Sequence, residues 1–259
     1  MSTAQRTTQC TTLSATLSAT LAVSTVIFAL RPVEKHDDAA SGVMTLWLPL
    51  VRRTSDPHRN QWALPGGWLP NHEELAAAAA RTLRETTSLT PTYLEQLYTF
   101  GAIGRSPGRR VVSVVYWALV KSDEAAQVAV GDNVRWFPAD SLPQLAFDHN
   151  RIVEYALWRL RTKVEYSRIA HSFLGETFTL AQLREVHEAV LHRSIDPANF
   201  RRRVEASGDV VETGEFLAGT RHRPPRLYRF NDASPPATPP PSGRRPSDIP
   251  ARPHSEEAP

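Results

Sequence analysis

The sequence predicts an α/β chain in two parts, a mixed layer of strands and helices followed by a small helical unit closed by a β-hairpin. Three observations carry this reading. Apolar, β-branched runs alternate with helical patterns up to about Lys163; a helix, turn, helix and hairpin order follows; and both chain ends have compositions that bury little. With 259 residues, 41% hydrophobic and 22% charged, the chain can build one large core or two smaller ones.

Residues 1–20 are rich in Ser, Thr and Gln with no apolar period, and are expected to form a disordered extension. Val23 to Leu30 and Met44 to Arg53 read as strands, with Pro49 pushing the second towards a sheet edge or bulge. The stretch from Leu21 to Leu30 is interrupted by Ser24 and Thr25 and is too short to span a bilayer, so a buried strand is expected there, not a membrane helix or secretory segment. Glu73 to Glu85 is an Ala-rich helix, Tyr93 to Gly101 is strand-like, and Val111 to Val120, broken only by Ser113, suits a strand buried on both faces. Asn150 to Thr162 places Ile152, Tyr155, Ala156 and Leu160 at helical spacing, and the first domain is assigned residues 21–163.

The second domain, 164–230, opens with a helix from Thr179 to His192 whose Leu180, Leu183, Val186, His187, Val190 and Leu191 share one stripe, with Thr179 as the cap and His187 as a core histidine. Asp196 can cap a second helix that has Pro197 at its first position and closes at Gly208. A short strand at Val210 and Val211, a loop from Thr213 to Arg226 and a strand through Arg229 complete the order of a winged helix. Residues 231–259 are Pro-rich and expected to be a disordered tail.

Cys10 is the single cysteine, which excludes an internal disulfide and a thiolate-rich metal site and fits a cytoplasmic setting. No metal site and no cofactor are expected. The net charge of +3 is carried mostly by arginine, with Lys35, Lys121 and Lys163 the only lysines, so the location of the charge decides the partner.

One motif carries the chemistry. Trp62-Ala63-Leu64-Pro65-Gly66-Gly67-Trp68 leads to Glu73, then to Arg81 eight residues later, then to Leu83, Glu85 and Leu89. This resembles the Nudix box, Gly-x5-Glu-x7-Arg-Glu-U-x-Glu-Glu-x-Gly-U, where U is aliphatic. The match is close up to Arg81; beyond it Thr82 and Thr86 stand where the box has acids and Ser88 where it has glycine, leaving Glu85 from the carboxylate cluster. The resemblance implies a Nudix α/β/α sandwich in which Glu73 pairs with Arg81. Nudix enzymes cleave a pyrophosphate with Mg²⁺, which needs hard carboxylate ligands, so no catalytic residue is assigned and the protein is expected not to be an enzyme.

The box, the strand from Tyr93 to Gly101, the turn Arg105-Ser106-Pro107-Gly108, the segment Leu145-Ala146-Phe147-Asp148-His149 and the winged helix together resemble the NrtR family, Nudix-related transcriptional regulators of NAD metabolism, over about residues 21–230. The resemblance implies a Nudix fold followed by a C-terminal winged helix-turn-helix domain. It also implies a homodimeric, cytoplasmic, nucleoid-associated repressor of NAD biosynthesis or salvage genes, with double-stranded operator DNA and ADP-ribose or a related NAD metabolite as partners. An active Mg²⁺-dependent pyrophosphatase acting on ADP-ribose or a nucleotide sugar is the alternative, and an RNA-binding protein a third.

The expected ligand cradle is Gly66 and Gly67, which permit close backbone approach, with Glu85 and with Arg109 and Arg110 as phosphate grips. Phe147, Asp148 and His149 stand before a helix, where they can cap it or dock a ligand. On the second winged-helix helix, Asn199, Arg201, Arg202 and Arg203 form the expected DNA-reading surface, with Phe200 and Val204 facing the core; Arg221, Arg223, Arg226 and Arg229 give the wing the charge to cross a phosphate backbone. Lys163, at the expected domain junction, is the regulatory candidate, because its acylation would remove a charge beside the DNA-binding part.

Overall fold

The computed structural model describes residues 18–32, 43–89, 91, 93–121, 124–125, 133–166, 168–219 and 224–231. The Pro-rich tail beyond 231, most of the N-terminal extension, and Lys35, Arg221 and Arg223 lie outside the described residues. Among the described residues, no helix is long and apolar enough to cross a membrane.

Strand β1 (Thr20–Pro32) is the centre of the sheet, and its run from Val23 to Leu30 is buried throughout because helices cover both faces. It pairs in parallel with β6 (Val111–Val120), from Thr20 opposite Val111 to Ala29 opposite Val120. Antiparallel neighbours are β2 (Met44–Arg52), β3 (Trp62–Ala63), β4 (Gly66–Trp68), β5 (Tyr93–Phe100) and β7 (Val134–Pro138). The order is β3-β2-β1-β6-β5, with β4 also on β1 and β7 on β2. Pro49 falls where β2 has left its pairing with β1, which ends at Trp47, and faces β7 alone. An imino acid is tolerated there because one side of the strand has no ladder to break.

Helix α1 (Leu75–Thr87) puts Ala78 and Ala79 on one sheet face, against Val23, Val114 and Tyr116. The small side chains let the helix approach closely. Helix α2 (His149–Tyr166) covers the other face with Ile152, Tyr155, Ala156 and Leu160, as their spacing predicts. It runs past Lys163 without a break, so the expected junction at Lys163 is the interior of a helix, and a 3₁₀ turn (Arg168–Phe173) follows.

In the winged helix, α3 (Leu180–Leu191) begins with a complete capping box between Thr179 and Gln182, and α4 (Pro197–Ser207) is capped by Asp196, which accepts from the Asn199 amide at 2.8 Å. The hairpin is β8 (Val210–Phe216) with β9 (Arg226–Phe230). Strand β8 therefore extends to Phe216, where a loop from Thr213 was expected; the polar run Glu212, Thr213 and Glu215 hides a strand with no buried residue. The short β7 also escaped the sequence reading. Phe178, Leu183, Val190, Phe200 and Tyr228 belong to the same buried cluster as Val26, Phe28 and Trp117, so one core runs through both units.

Candidate functional site

A cleft of about 600 Å³ opens between β4, the loop after β2, the β5–β6 loop and the start of α2. That volume is in the range of sites for small molecules. Its floor is Ser24 and Ser113, whose buried hydroxyls lie 3.2 Å apart. Gly66 and Gly67 both line it, for different reasons. A Cβ on Gly66 would meet the Val23 carbonyl oxygen at 2.7 Å and the Ser24 Oγ at 2.9 Å, so its glycine is required by the approach of β4 to β1, whereas at Gly67 the space is open.

Arg53, Arg105 and Arg109 line the cleft walls, together with Asp56. Arg105 is almost buried and makes a two-pronged bond to Asp148, at 2.7 and 3.0 Å. Arg53 donates to the main-chain oxygens of Pro57 and Ser55 and lies 4.7 Å from the centroid of the Phe147 ring. Arg109 lies 5.3 Å from the centroid of the half-exposed Trp68 indole. His149 accepts the Leu64 amide on Nδ1 at 2.9 Å, and its burial lowers its pKa to about 4. It is therefore neutral near pH 7, carries its proton on Nε2, and ties the loop leading to Gly66 to the start of α2. Preset arginines beside main-chain turns suit an anionic, phosphate-bearing ligand.

Sequence reasoning missed Arg53 and Arg105. The partners Arg105 and Asp148 are 43 positions apart, and no local pattern announces such a pair. Two expected ligand residues lie elsewhere. Arg110 turns back to the carbonyls of Gly101 and Ala102, at 2.7 and 3.2 Å, and does not line the cleft. Glu85 lies on the exposed side of α1, bonded to Arg81 at 3.0 Å, and is also not a lining residue.

The box helix keeps its scaffold, and of the carboxylates in the box's cluster it keeps only Glu85. Arg81 grips both oxygens of Glu73, at 2.7 and 2.8 Å, and these bonds hold the Glu73 carboxyl below its usual pKa. Thr82 is buried, and the Thr86 hydroxyl donates to the Thr82 carbonyl oxygen. With Glu85 drawn to Arg81, the donor set does not fit the Mg²⁺ that the box implies. Ser88 adopts φ 59°, the left-handed conformation that explains the glycine in the box pattern.

On the winged helix, Arg201, Arg202 and Arg203 are exposed along α4 with Asn199, while Phe200 is buried and Val204 packs on the core. Arg201 pairs with Glu205 at 2.9 Å, Arg202 donates to the Asn199 amide oxygen, and Arg203 lies over the Phe200 ring. Arg226 pairs with Glu212 at 2.8 Å, and Arg229 is exposed. His187 packs edge-on against Phe200 with its pKa lowered to about 4 by burial, as a core histidine should.

Family models for the NUDIX domain and the NrtR DNA-binding winged helix domain match residues 45–156 and 170–230. The ADPR responsive transcriptional repressor NtrR of Acinetobacter baylyi is 35% identical over 191 residues, 71% of this chain and 76% of that protein. The chain belongs to the NrtR family. The crystal structure of Shewanella oneidensis NrtR complexed with a 27mer DNA superposes with a TM-score of 0.65 at 35% identity, covering 82% of this chain and 93% of that one. An ADP-ribose pyrophosphatase of Methanocaldococcus jannaschii is 31% identical over 111 residues, 42% of this chain and 66% of that protein.

Within this NrtR-family chain, Lys163 does not occupy the exposed position that a modification site needs. Its Nζ lies 2.5 Å from Glu95 Oε2 and 3.1 Å from the Tyr93 hydroxyl, 5.3 Å from the Trp117 ring centroid, and its side chain is 16% exposed. The ammonium is held against β5. Between the two units polar contacts are made by Arg161, which bonds Asp140 at 2.9 and 3.2 Å and the Val190 carbonyl at 2.9 Å, and by Glu165, which accepts from Arg193 at 3.1 Å; His192 approaches the same Asp140 at 3.2 Å.

Proposed function

We propose that this protein is an ADP-ribose-responsive transcriptional repressor, acting on NAD biosynthesis or salvage genes as a homodimer, with a Nudix domain that binds its effector without hydrolysing it. The observation that carries the reading is the arginine-lined cleft in a chain whose Nudix helix has threonines at two metal positions, built on one core with a winged helix. The effector occupies the cleft, and α4 with Asn199, Arg201, Arg202 and Arg203 enters the major groove, while Arg226 faces phosphates.

Helix α2 runs from the cleft to the winged helix, where it meets α3. His149 stands at the cleft and Arg161 on the Val190 carbonyl, twelve residues later, about 18 Å along a helix at about 1.5 Å per residue. A ligand that displaces the first turn of α2 therefore moves the contact with α3. Release of DNA requires only that the ligand favour the free protein; a tenfold loss of operator affinity needs a difference of about 1.4 kcal/mol.

Titration of the protein–operator complex with ADP-ribose, NAD and nicotinamide mononucleotide tests the reading, and unchanged DNA affinity with all three refutes it. The pyrophosphatase reading draws on the Methanocaldococcus relative. Turnover of ADP-ribose with Mg²⁺ at ordinary enzyme rates, about 1 to 10³ per second, would establish it in place of the sensor.

A further inference from the structure

One aromatic side chain at the mouth of the cleft has no role in the fold. Trp68 ends β4, opposite Ala22 of β1, and leaves 54% of its surface in water. An indole carries a large apolar area and is ordinarily buried over most of it. Here it lines the cleft together with Arg109, whose guanidinium stands over the ring. Across the cleft the arginines are already engaged: Arg105 with Asp148, and Arg53 with main-chain oxygens and the Phe147 ring. The cleft thus has a polar end with preset charges and an aromatic end whose half-exposed ring carries Arg109 over it.

We propose that Trp68, backed by Arg109, is the platform on which the planar base of a nucleoside diphosphate ligand stacks, so that the site selects ligands bearing a base over sugar phosphates lacking one. This rests on the reading of the cleft as the effector site and names how the effector is chosen. A cation over an indole is attracted by the ring's quadrupole, and it holds the ring in a fixed plane for stacking. Any base offers a flat π-surface, so this platform reads the presence of a base, and the hydrogen-bonding groups deeper in the cleft read the rest of the ligand. Arg109, expected from sequence to grip phosphate with Arg110, is thereby assigned to the base end.

The test is calorimetry on the full chain with ADP-ribose, AMP and ribose 5-phosphate, for the parent and for Trp68→Ala, Trp68→Phe and Arg109→Ala. Trp68 is exposed, so the alanine variant should keep the parent's melting temperature. Loss of a base stack weakens ADP-ribose and AMP roughly 5- to 150-fold in Trp68→Ala and leaves ribose 5-phosphate within about twofold, and Trp68→Phe recovers most of the loss. Equal weakening of all three ligands, or no weakening of any, overturns the platform. So does a change of oligomeric state in Trp68→Ala with ligand affinities intact, which would make the indole a subunit contact. Failure of the parent to bind either nucleotide overturns the platform and the effector reading together. If ADP-ribose binds with the expected dependence on Trp68 yet leaves operator affinity unchanged, the platform stands and the repressor reading falls.

Discussion

Replacing Arg161 by alanine should uncouple the two halves of the protein. Its guanidinium makes two bonds to Asp140 and one to the Val190 carbonyl, with both ionic side chains about a quarter exposed. Charge-assisted hydrogen bonds of this kind contribute about 1.5–3 kcal/mol, and partial exposure places the sum near about 2 kcal/mol. For a chain of this size that lowers the melting temperature by about 4–8 °C. Coupling free energies between two sites are typically about 1–3 kcal/mol, so one contact of this strength is large enough to carry the whole response. The assay is operator binding by fluorescence anisotropy with and without saturating ADP-ribose, beside direct calorimetry of ADP-ribose binding. Arg161→Ala should keep ADP-ribose affinity within about threefold and lose most of the ligand-induced shift in operator affinity. Asp140→Asn, which keeps a neutral acceptor for Arg161, should give an intermediate result. If Arg161→Ala melts lower as expected but answers ADP-ribose as fully as the parent, coupling does not run through α2.

Gly66→Ala should destabilise the fold by about 1–3 kcal/mol, because the added methyl meets the Val23 carbonyl, whereas Gly67→Ala should leave the melting curve unchanged and weaken ADP-ribose; equal melting of the two variants would refute this. Ser88→Gly should raise stability by about 1 kcal/mol in a denaturant titration, by removing the strain of a left-handed serine at the end of α1. His149 and His187 have folded pKa values near 4 against 6.5 unfolded, so the unfolded chain binds the extra protons between those values. Stability should be full above pH 6.5 and fall as pH drops towards about 4, and His187→Leu should remove part of that fall. Arg202→Ala should weaken operator binding by about 1–3 kcal/mol and relax specificity at one base, while Arg226→Ala should weaken all sequences alike and reduce the salt slope by about one; unchanged binding in both would mean another surface meets DNA.

The fold was legible where periodicity and local chemistry act within a few residues. The buried runs Val23 to Leu30 and Val111 to Val120 and the Thr179 and Asp196 caps follow from short-range rules, the Glu73–Arg81 pair from the resemblance to the Nudix box, and each is present. What escaped depends on the tertiary path. Arg105 reaches Asp148, and Lys163 reaches Glu95, only because the sheet brings β5, its following loop and α2 together. Arg109 and Arg110 are adjacent in sequence and looked like one phosphate grip, yet one lines the cleft and the other ties down the turn after β5. The extension of β8 to Phe216 was hidden because an exposed two-stranded wing needs no alternating apolar residues.

The way the Nudix helix departs from its pattern separates two jobs that one motif ordinarily combines. Glu73 and Arg81, with Leu83 buried on the sheet, set the shape of the loop and helix, and their bonds are intact. Thr82 and Thr86 stand where metal donors would, and they serve the helix instead, one buried and the other bonded back to its carbonyl. A chain that needed only a stable helix would have no use for the paired arginine and glutamate at the loop, and one that needed hydrolysis would need the acids. On the proposed reading, keeping the shape without the metal suits a sensor, because a ligand consumed on the protein reports its rate of turnover, whereas a ligand merely held reports its concentration.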